Sequence, residues 1–244
     1  MSNNRIVWLS PSDPHDAFPP VDAALSEPDG LLAAGGDLST ERLISAYRLG
    51  IFPWYSEGQP LLWWSPNPRC VFRKGELYLS RRQQRYVRQS SAEVRFNTAF
   101  SDVIAACAAP RAAEQGTWIT SEMIDAYERM HREGWAHSVE IWQSEELVGG
   151  LYGLAIGRAF FGESMFSAEP NASKFALLVL SQLLDSDALG ILDCQMVSRH
   201  LVDLGASSIP REAFMAILAS LCERASRFEN WPSGPILVKH LLRT

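Results

Sequence analysis

Apolar positions along this chain follow a helical period in some stretches and strict alternation in others. Up to about Gly58 the backbone is rich in Pro and Gly, and one helix stands out: Ser39 as cap, Glu41 in the first turn, Leu43, Ile44 and Tyr47 on one side, and Gly50 as stop. Thr120 can cap a second helix, whose Met123, Ile124, Tyr127, Met130 and His131 keep the 3.6 period until Gly134. Alternation follows. Ser138-Val139-Glu140-Ile141-Trp142 reads as a strand, Ser144-Glu145-Glu146 as a turn, and Leu147 to Ile156 and Arg158 to Met165 as adjoining strands joined around Gly157. Asn171 is placed to cap a helix carrying Phe175, Ala176, Leu177, Leu180 and Leu184. A strand from Ile191 to Val197 comes next, and Pro210 at a first helical position opens a last helix through Phe214, Ile217, Leu218 and Leu221.

Strands, a helix, a strand and a helix in that order predict an α+β fold. The expected organisation is a small N-terminal domain, residues 1–62, followed by an acetyltransferase-like mixed sheet flanked by helices, residues 63–244. That layout is an analogy of architecture, and it implies no activity. An acetyl-CoA enzyme would open the helix after the central strands with a Gly-rich loop for pyrophosphate. Here the loop is Ser167-Ala168-Glu169-Pro170-Asn171-Ala172-Ser173-Lys174, with an acid and a proline in that place.

Some polar positions break the apolar pattern. Glu163 lies within Phe160-Phe161-Gly162-Glu163-Ser164-Met165-Phe166, and Asp193 and Gln195 lie within Ile191-Leu192-Asp193-Cys194-Gln195-Met196-Val197. Removing a carboxylate from water without compensation costs several kcal/mol or more, so each must be paired or sit at a ligand site. On an extended strand Asp193 and Gln195 share one face, an acceptor beside an amide, while Leu192, Cys194 and Met196 share the other. Either they are a structural pair or they belong to a site. Aromatics also crowd on irregular, proline-bearing backbone at Phe52-Pro53-Trp54-Tyr55 and Trp63-Trp64-Ser65-Pro66, where rings serve either as core or as a groove cover.

At 244 residues, 47% apolar and 20% charged, the composition is that of a globular chain. Every apolar run stops well short of the roughly 18 residues that a membrane span needs, and Met1-Ser2-Asn3-Asn4-Arg5 leads into no apolar signal region, so a cytoplasmic protein is expected. Cys70, Cys107, Cys194 and Cys222 show no CxxC spacing and the five histidines no HExxH pair, which predicts reduced thiols and no metal. The net charge of −6 hides a local reversal: Arg69, Arg73, Lys74, Arg81, Arg82, Arg85 and Arg88 face the single acid Glu76. On a helix Arg81, Arg85 and Arg88 form one stripe with Arg82 beside it, either a solvated face or a phosphate-binding one.

Eight blocks in order, spread from Gly30 nearly to the C-terminus, carry a specific resemblance: Gly35-Gly36-Asp37-Leu38-Ser39, Gly50-Ile51-Phe52-Pro53-Trp54, Trp63-Trp64-Ser65-Pro66, Thr117-Trp118-Ile119-Thr120, His137-Ser138-Val139-Glu140, Gly162-Glu163-Ser164-Met165-Phe166-Ser167, Ala172-Ser173-Lys174 and Asp193-Cys194-Gln195. Together they resemble the bacterial leucyl/phenylalanyl-tRNA-protein transferases. The resemblance implies transfer of Leu or Phe, less readily Met, from charged Leu-tRNA or Phe-tRNA to proteins or peptides beginning with Arg or Lys, which become degradation targets. It implies Asp193, Gln195 and Glu163 at the reacting centre, with Asp193 drawing charge through Gln195 or holding the amine. The implied wall of an apolar side-chain pocket is Leu151, Met165, Leu177, Leu180, Leu184 and Leu192. Trp54 and Trp118, with Tyr47 and Tyr127 close by, would hold the terminal adenosine, and Arg81, Arg82, Arg85 and Arg88 the acceptor-stem phosphates. Ala168 departs from the family pattern, which has a polar or basic residue there. The donor is an already activated ester, so no ATP, metal or other cofactor is expected, in keeping with the missing P-loop and GxSxG patterns. A monomer without membrane attachment is the expected form.

Overall fold

The computed structural model describes residues 6–112, 119–223 and 226–242. In chain order the elements are β1 Val7–Leu9, β2 Leu31–Gly35, α1 Thr40–Arg48, β3 Phe52–Pro53, β4 Leu62–Trp64, β5 Arg69–Phe72, α2 Arg81–Gln89, β6 Glu93–Phe96, α3 Phe100–Ala112, α4 Ser121–Arg132, β7 Ala136–Gln143, β8 Glu146–Ile156, β9 Ala159–Ser167, α5 Ala172–Asp185, β10 Ile191–Asp193, α6 Arg199–Asp203, β11 Ser207–Ile209, α7 Arg211–Leu221 and β12 Ile236–Leu237. A small sheet runs β1-β2-β4-β3, and a large one β11-β5-β10-β9-β8-β7-β6-β12. The large sheet is mixed: β9 and β10 run parallel, and its other described neighbours pair antiparallel. It is the expected α+β arrangement of a sheet with flanking helices.

Local signals account for the helices. Ser39 accepts from Arg42 N–H and Thr120 from Met123 N–H, so α1 and α4 start where a side-chain oxygen meets free amides. A capping box between Ser80 and Gln83 opens α2. Asn171 behaves differently from expectation: it precedes α5 in the left-handed region at φ 70° and its side chain makes no cap, accepting instead from Lys174 Nζ at 2.9 Å. Pro210 sits at the N-cap of α7 and not inside its first turn.

One apolar cluster joins the small sheet to the large one, with Leu43, Tyr47 and Trp63 packed among Tyr127, Phe161, Ile191 and Phe214. The opposite face of the large sheet carries a second cluster under α5, built on Phe160, Leu177, Leu180 and Leu192. Alternation along β9 thus sends Phe160 to one core and Phe161 to the other.

Two irregularities place the polar positions. The β8/β9 register shifts between Tyr152↔Ser164 and Gly153↔Gly162, which leaves Glu163 as the extra residue of a β-bulge. β10 pairs with β9 only as far as Asp193↔Phe161 and then turns away. The expected strand through Val197 therefore ends at Asp193: Gln195 lies at φ 61°, in the left-handed region, while Cys194 N–H donates to Cys70 O at 2.8 Å. The sheet opens where β9 and β10 part, and Glu163 and Gln195 stand on either side of the opening.

Candidate active site

Glu163 is 9% exposed and is hydrogen-bonded to Tyr47 Oη at 2.6 Å, Tyr127 Oη at 3.1 Å and Gln195 Nε2 at 2.8 Å. The two tyrosine hydroxyls also touch each other. Burial raises the Glu163 carboxyl to about 7, with the nearby Asp193 charge adding to it and the three donors opposing it. Burial and the Glu163 charge push both tyrosines well above their ordinary range, so both remain protonated. Tyr47 and Tyr127 are themselves fully buried, and their rings offer no open face to a base. The expectation put them close by the residues that hold adenosine; α1 and α4 bring their hydroxyls to the Glu163 carboxylate.

Asp193 also departs from expectation. It is 0% exposed and both oxygens are taken by Arg69, Oδ1 by Nε at 2.8 Å and Oδ2 by Nη2 at 2.6 Å. Arg69 also donates from Nη1 to Gly50 O at 3.0 Å, and its guanidinium lies over Phe52 at 5.0 Å and Phe214 at 4.7 Å. An acid clamped in this way and 0% exposed is turned to Arg69 and the main chain and not to the opening. What it does hold is the main chain: Gln195 N–H donates to Oδ1 at 2.9 Å and fixes the left-handed turn. Asp193 and Gln195 come together through this turn, and not through the alternation of a strand.

Sequence reasoning missed Arg69 as part of the site by counting it in the basic stretch. Its place at the head of the apolar strand Arg69-Cys70-Val71-Phe72 is the same signal that marks Glu163. The stretch is in fact divided. Arg73 pairs with Glu76 at 2.7 Å and Lys74 with Asp187 at 2.7 Å, which leaves Arg81, Arg82, Arg85 and Arg88 exposed on α2 with no ion pair among the described residues.

Beside Glu163 lies a cavity of about 110 Å³. Leu151, Met165, Leu177, Leu180 and Leu192 line it, together with Phe160, Gly162, Ser164, Cys194 and Leu201. For scale, an engineered apolar cavity of about 150 Å³ takes up benzene. Leu184 is 1% exposed in the core under α5, outside that lining, because its turn of the helix lies past the opening. Leu201, on α6, was not foreseen as a wall residue.

Trp54 is half-buried and packs edge-on to Trp64 at 5.3 Å, with its carbonyl accepting from Trp64 Nε1 at 2.7 Å. It stands two residues beyond Phe52, which lies on Arg69, so the small sheet reaches the edge of the site. Trp118 falls outside the described residues. Among the described residues no helix is long and apolar enough to cross a membrane.

Comparison with known proteins gives a consistent result. The family described as leucyl/phenylalanyl-tRNA protein transferase matches residues 71–219, and its N-terminal domain matches residues 36–67. A leucyl/phenylalanyl-tRNA-protein transferase from Aromatoleum aromaticum is 58% identical over 215 residues, 88% of this chain and 90% of that one. Those from Pseudomonas paraeruginosa and Nitrosomonas eutropha are 57% and 53% identical, over 86% and 88% of this chain and 92% of each relative. Among solved structures, a GCN5-related N-acetyltransferase from Kribbella flavida overlaps 68% of this chain and 59% of its own, at 9% identity and a TM-score of 0.36.

Proposed function

The chain belongs to the leucyl/phenylalanyl-tRNA-protein transferases, enzymes that pass an aminoacyl group from tRNA to protein, and we propose that it moves Leu or Phe, less readily Met, onto the α-amine of proteins beginning with Arg or Lys. Proteins so extended become degradation targets. The observation that carries the reading is the place of Glu163 in the wall of an apolar cavity where β9 and β10 part, with the Gln195 amide bonded to it from beside that wall.

The cavity takes the donor's side chain, which puts the ester carbonyl beside Gln195. Its wall of Leu and Met residues selects by shape, and Met adapts to branched or aromatic guests. The acceptor amine attacks the ester carbon, a C–N bond forms, and the tetrahedral intermediate collapses by breaking the bond to the ribose oxygen, which takes the proton that the amine gives up. An amide is too weak a base to remove that proton. Gln195 instead aligns the amine: its Nε2 is spent on Glu163, which leaves Oε1 to accept an amine hydrogen. Asp193 and Arg69 hold the turn that presents Gln195.

Trp54 and Trp118 supply stacking for the terminal adenosine, worth roughly 1–3 kcal/mol per base. Arg81, Arg82, Arg85 and Arg88 bind the acceptor-stem phosphates. Incubation with charged Leu-tRNA and a peptide beginning with Arg is expected to yield the peptide extended by one Leu, read by mass. Turnover with acetyl-CoA and no tRNA, or tRNA binding without its consumption, would contradict the proposal.

A further inference from the structure

Tyr47 of α1, Tyr127 of α4 and Glu163 of β9 meet in a closed ring of polar atoms. Tyr47 Oη lies 2.6 Å from Glu163 Oε1, Tyr127 Oη lies 3.1 Å from Oε2, and the two hydroxyls touch. Gln195 Nε2 joins the ring at Oε1, 2.8 Å away. Each of these four hydrogen bonds needs a proton between its two heavy atoms. An ionised Glu163 leaves only three: one from each tyrosine and one from the amide. One pair of oxygens would then face each other with nothing between them. A protonated Glu163 supplies the fourth, and the protons can then point one way round the ring in either sense. In both senses Oε1 has only a lone pair to offer Gln195, because its proton, when it carries one, is spent on Tyr47.

We infer that Glu163 works as a neutral carboxylic acid and that Tyr47 and Tyr127 are positioning residues, which draw its proton into the ring and so hold the Gln195 amide with Nε2 inward and Oε1 toward the acceptor amine. The inference rests on the alignment role of Gln195 proposed above. Without the tyrosines the acid would stay neutral, but its hydroxyl could turn to the Gln195 carbonyl and reverse the amide. The other groups around the ring agree with this state. Asp193 adds negative charge that opposes ionisation of Glu163, and Arg69 is committed to Asp193. Tyr152 of β8 meets Tyr127 edge-on at 5.6 Å. Burial raises the carboxyl to about 7 and so outweighs the hydrogen bonds from Tyr47, Tyr127 and Gln195, which act the other way.

Neutron diffraction from deuterium-exchanged crystals of the whole chain, grown at about pH 5.5, between the ordinary carboxyl value of 4.5 and the raised value of about 7, tests the inference without substrate. The expected map has a deuteron on Glu163 aimed at a tyrosine oxygen and the Gln195 amide deuterons on the side facing Glu163. A bare carboxylate receiving both tyrosine deuterons, or an amide turned the other way, would overturn it. Because the map needs no turnover, it stands or falls separately from aminoacyl transfer. In solution, Tyr47→Phe is expected to lower kcat about tenfold, the scale of one well-placed hydrogen bond, with KM for charged tRNA unmoved. Tyr127→Phe opens the same ring from its other side and serves where the first variant folds poorly. Folded Phe variants with wild-type kcat would return both tyrosines to a purely structural role.

Discussion

Glu140 on β7 and Glu163 on β9 are both buried acids on one sheet, yet their surroundings could hardly differ more. Glu140 accepts from Thr98 N–H at 2.8 Å, Ala99 N–H at 2.9 Å, Ser138 Oγ at 2.7 Å, Trp142 Nε1 at 3.2 Å and the Thr98 hydroxyl. The two amides lie just before α3, where a helix start leaves N–H groups free and favours a negative charge. Among the described residues Glu163 meets no backbone amide, only two hydroxyls and a side-chain amide, with Asp193 close by. Burial by itself therefore does not tell the two acids apart. The two sets of donors differ in kind: main-chain amides can only donate, whereas hydroxyls can give or take a proton.

The largest effect expected from breaking this contrast is on stability. Glu140→Ala leaves buried amides and hydroxyls without an acceptor at about 1–3 kcal/mol each, so unfolding should become easier by at least about 3 kcal/mol in a denaturant titration. A loss under about 1 kcal/mol would show that water replaces the carboxylate there.

Glu163 should show itself as pH changes. Its folded value of about 7 lies above its ordinary 4.5, so the stability it allows is complete below about 4.5 and is lost as pH rises through about 7. Glu163→Gln does not titrate. Relative to wild type, the variant should therefore gain stability across that window, by up to about 3 kcal/mol, and stay level above it. Denaturation at several pH values reads this directly, and a difference that does not change with pH would mean Glu163 keeps its ordinary ionisation.

The cavity offers a smaller test. Leu151→Trp should lower transfer of Phe more than of Leu, by about 1–3 kcal/mol in relative kcat/KM. Leu184→Phe, in the core outside the lining, should affect both donors alike. Smallest in energy per residue is α2. Replacing Arg81, Arg85 and Arg88 with Gln should raise KM for charged tRNA, leave the peptide KM in place, and reduce the log-log salt slope by up to about one for each phosphate no longer neutralised. A wild-type slope would make the stripe solvated surface.

Much of the scaffold was legible because its signals are local. Ser39 and Gly50 bound α1, Thr120 and Gly134 bound α4, and alternation outlined β7, β8 and β9. α3 was missed although Phe100, Val103, Ile104 and Cys107 keep a helical spacing, since Glu140, which receives the amides ahead of it, is forty residues away in sequence from Phe100. The short strands of the small sheet and β5 and β11 depend on partners remote in the chain, which no local pattern announces. At the site, the oddity of Glu163, Asp193 and Gln195 was visible, but not their geometry. A bulge places Glu163, a left-handed turn places Gln195, and a buried arginine claims Asp193.

The central claim is that Gln195 aligns the amine while its neighbours only hold it. Single-turnover transfer from charged Leu-tRNA to a peptide beginning with Arg, with both saturating, tests that claim in Gln195→Ala. The account predicts a rate lower by about 2.7–4 kcal/mol in barrier, or roughly 10²–10³-fold, with tRNA affinity and thermal stability near wild type. A Gln195→Ala enzyme that folds and transfers at close to the wild-type rate would contradict it.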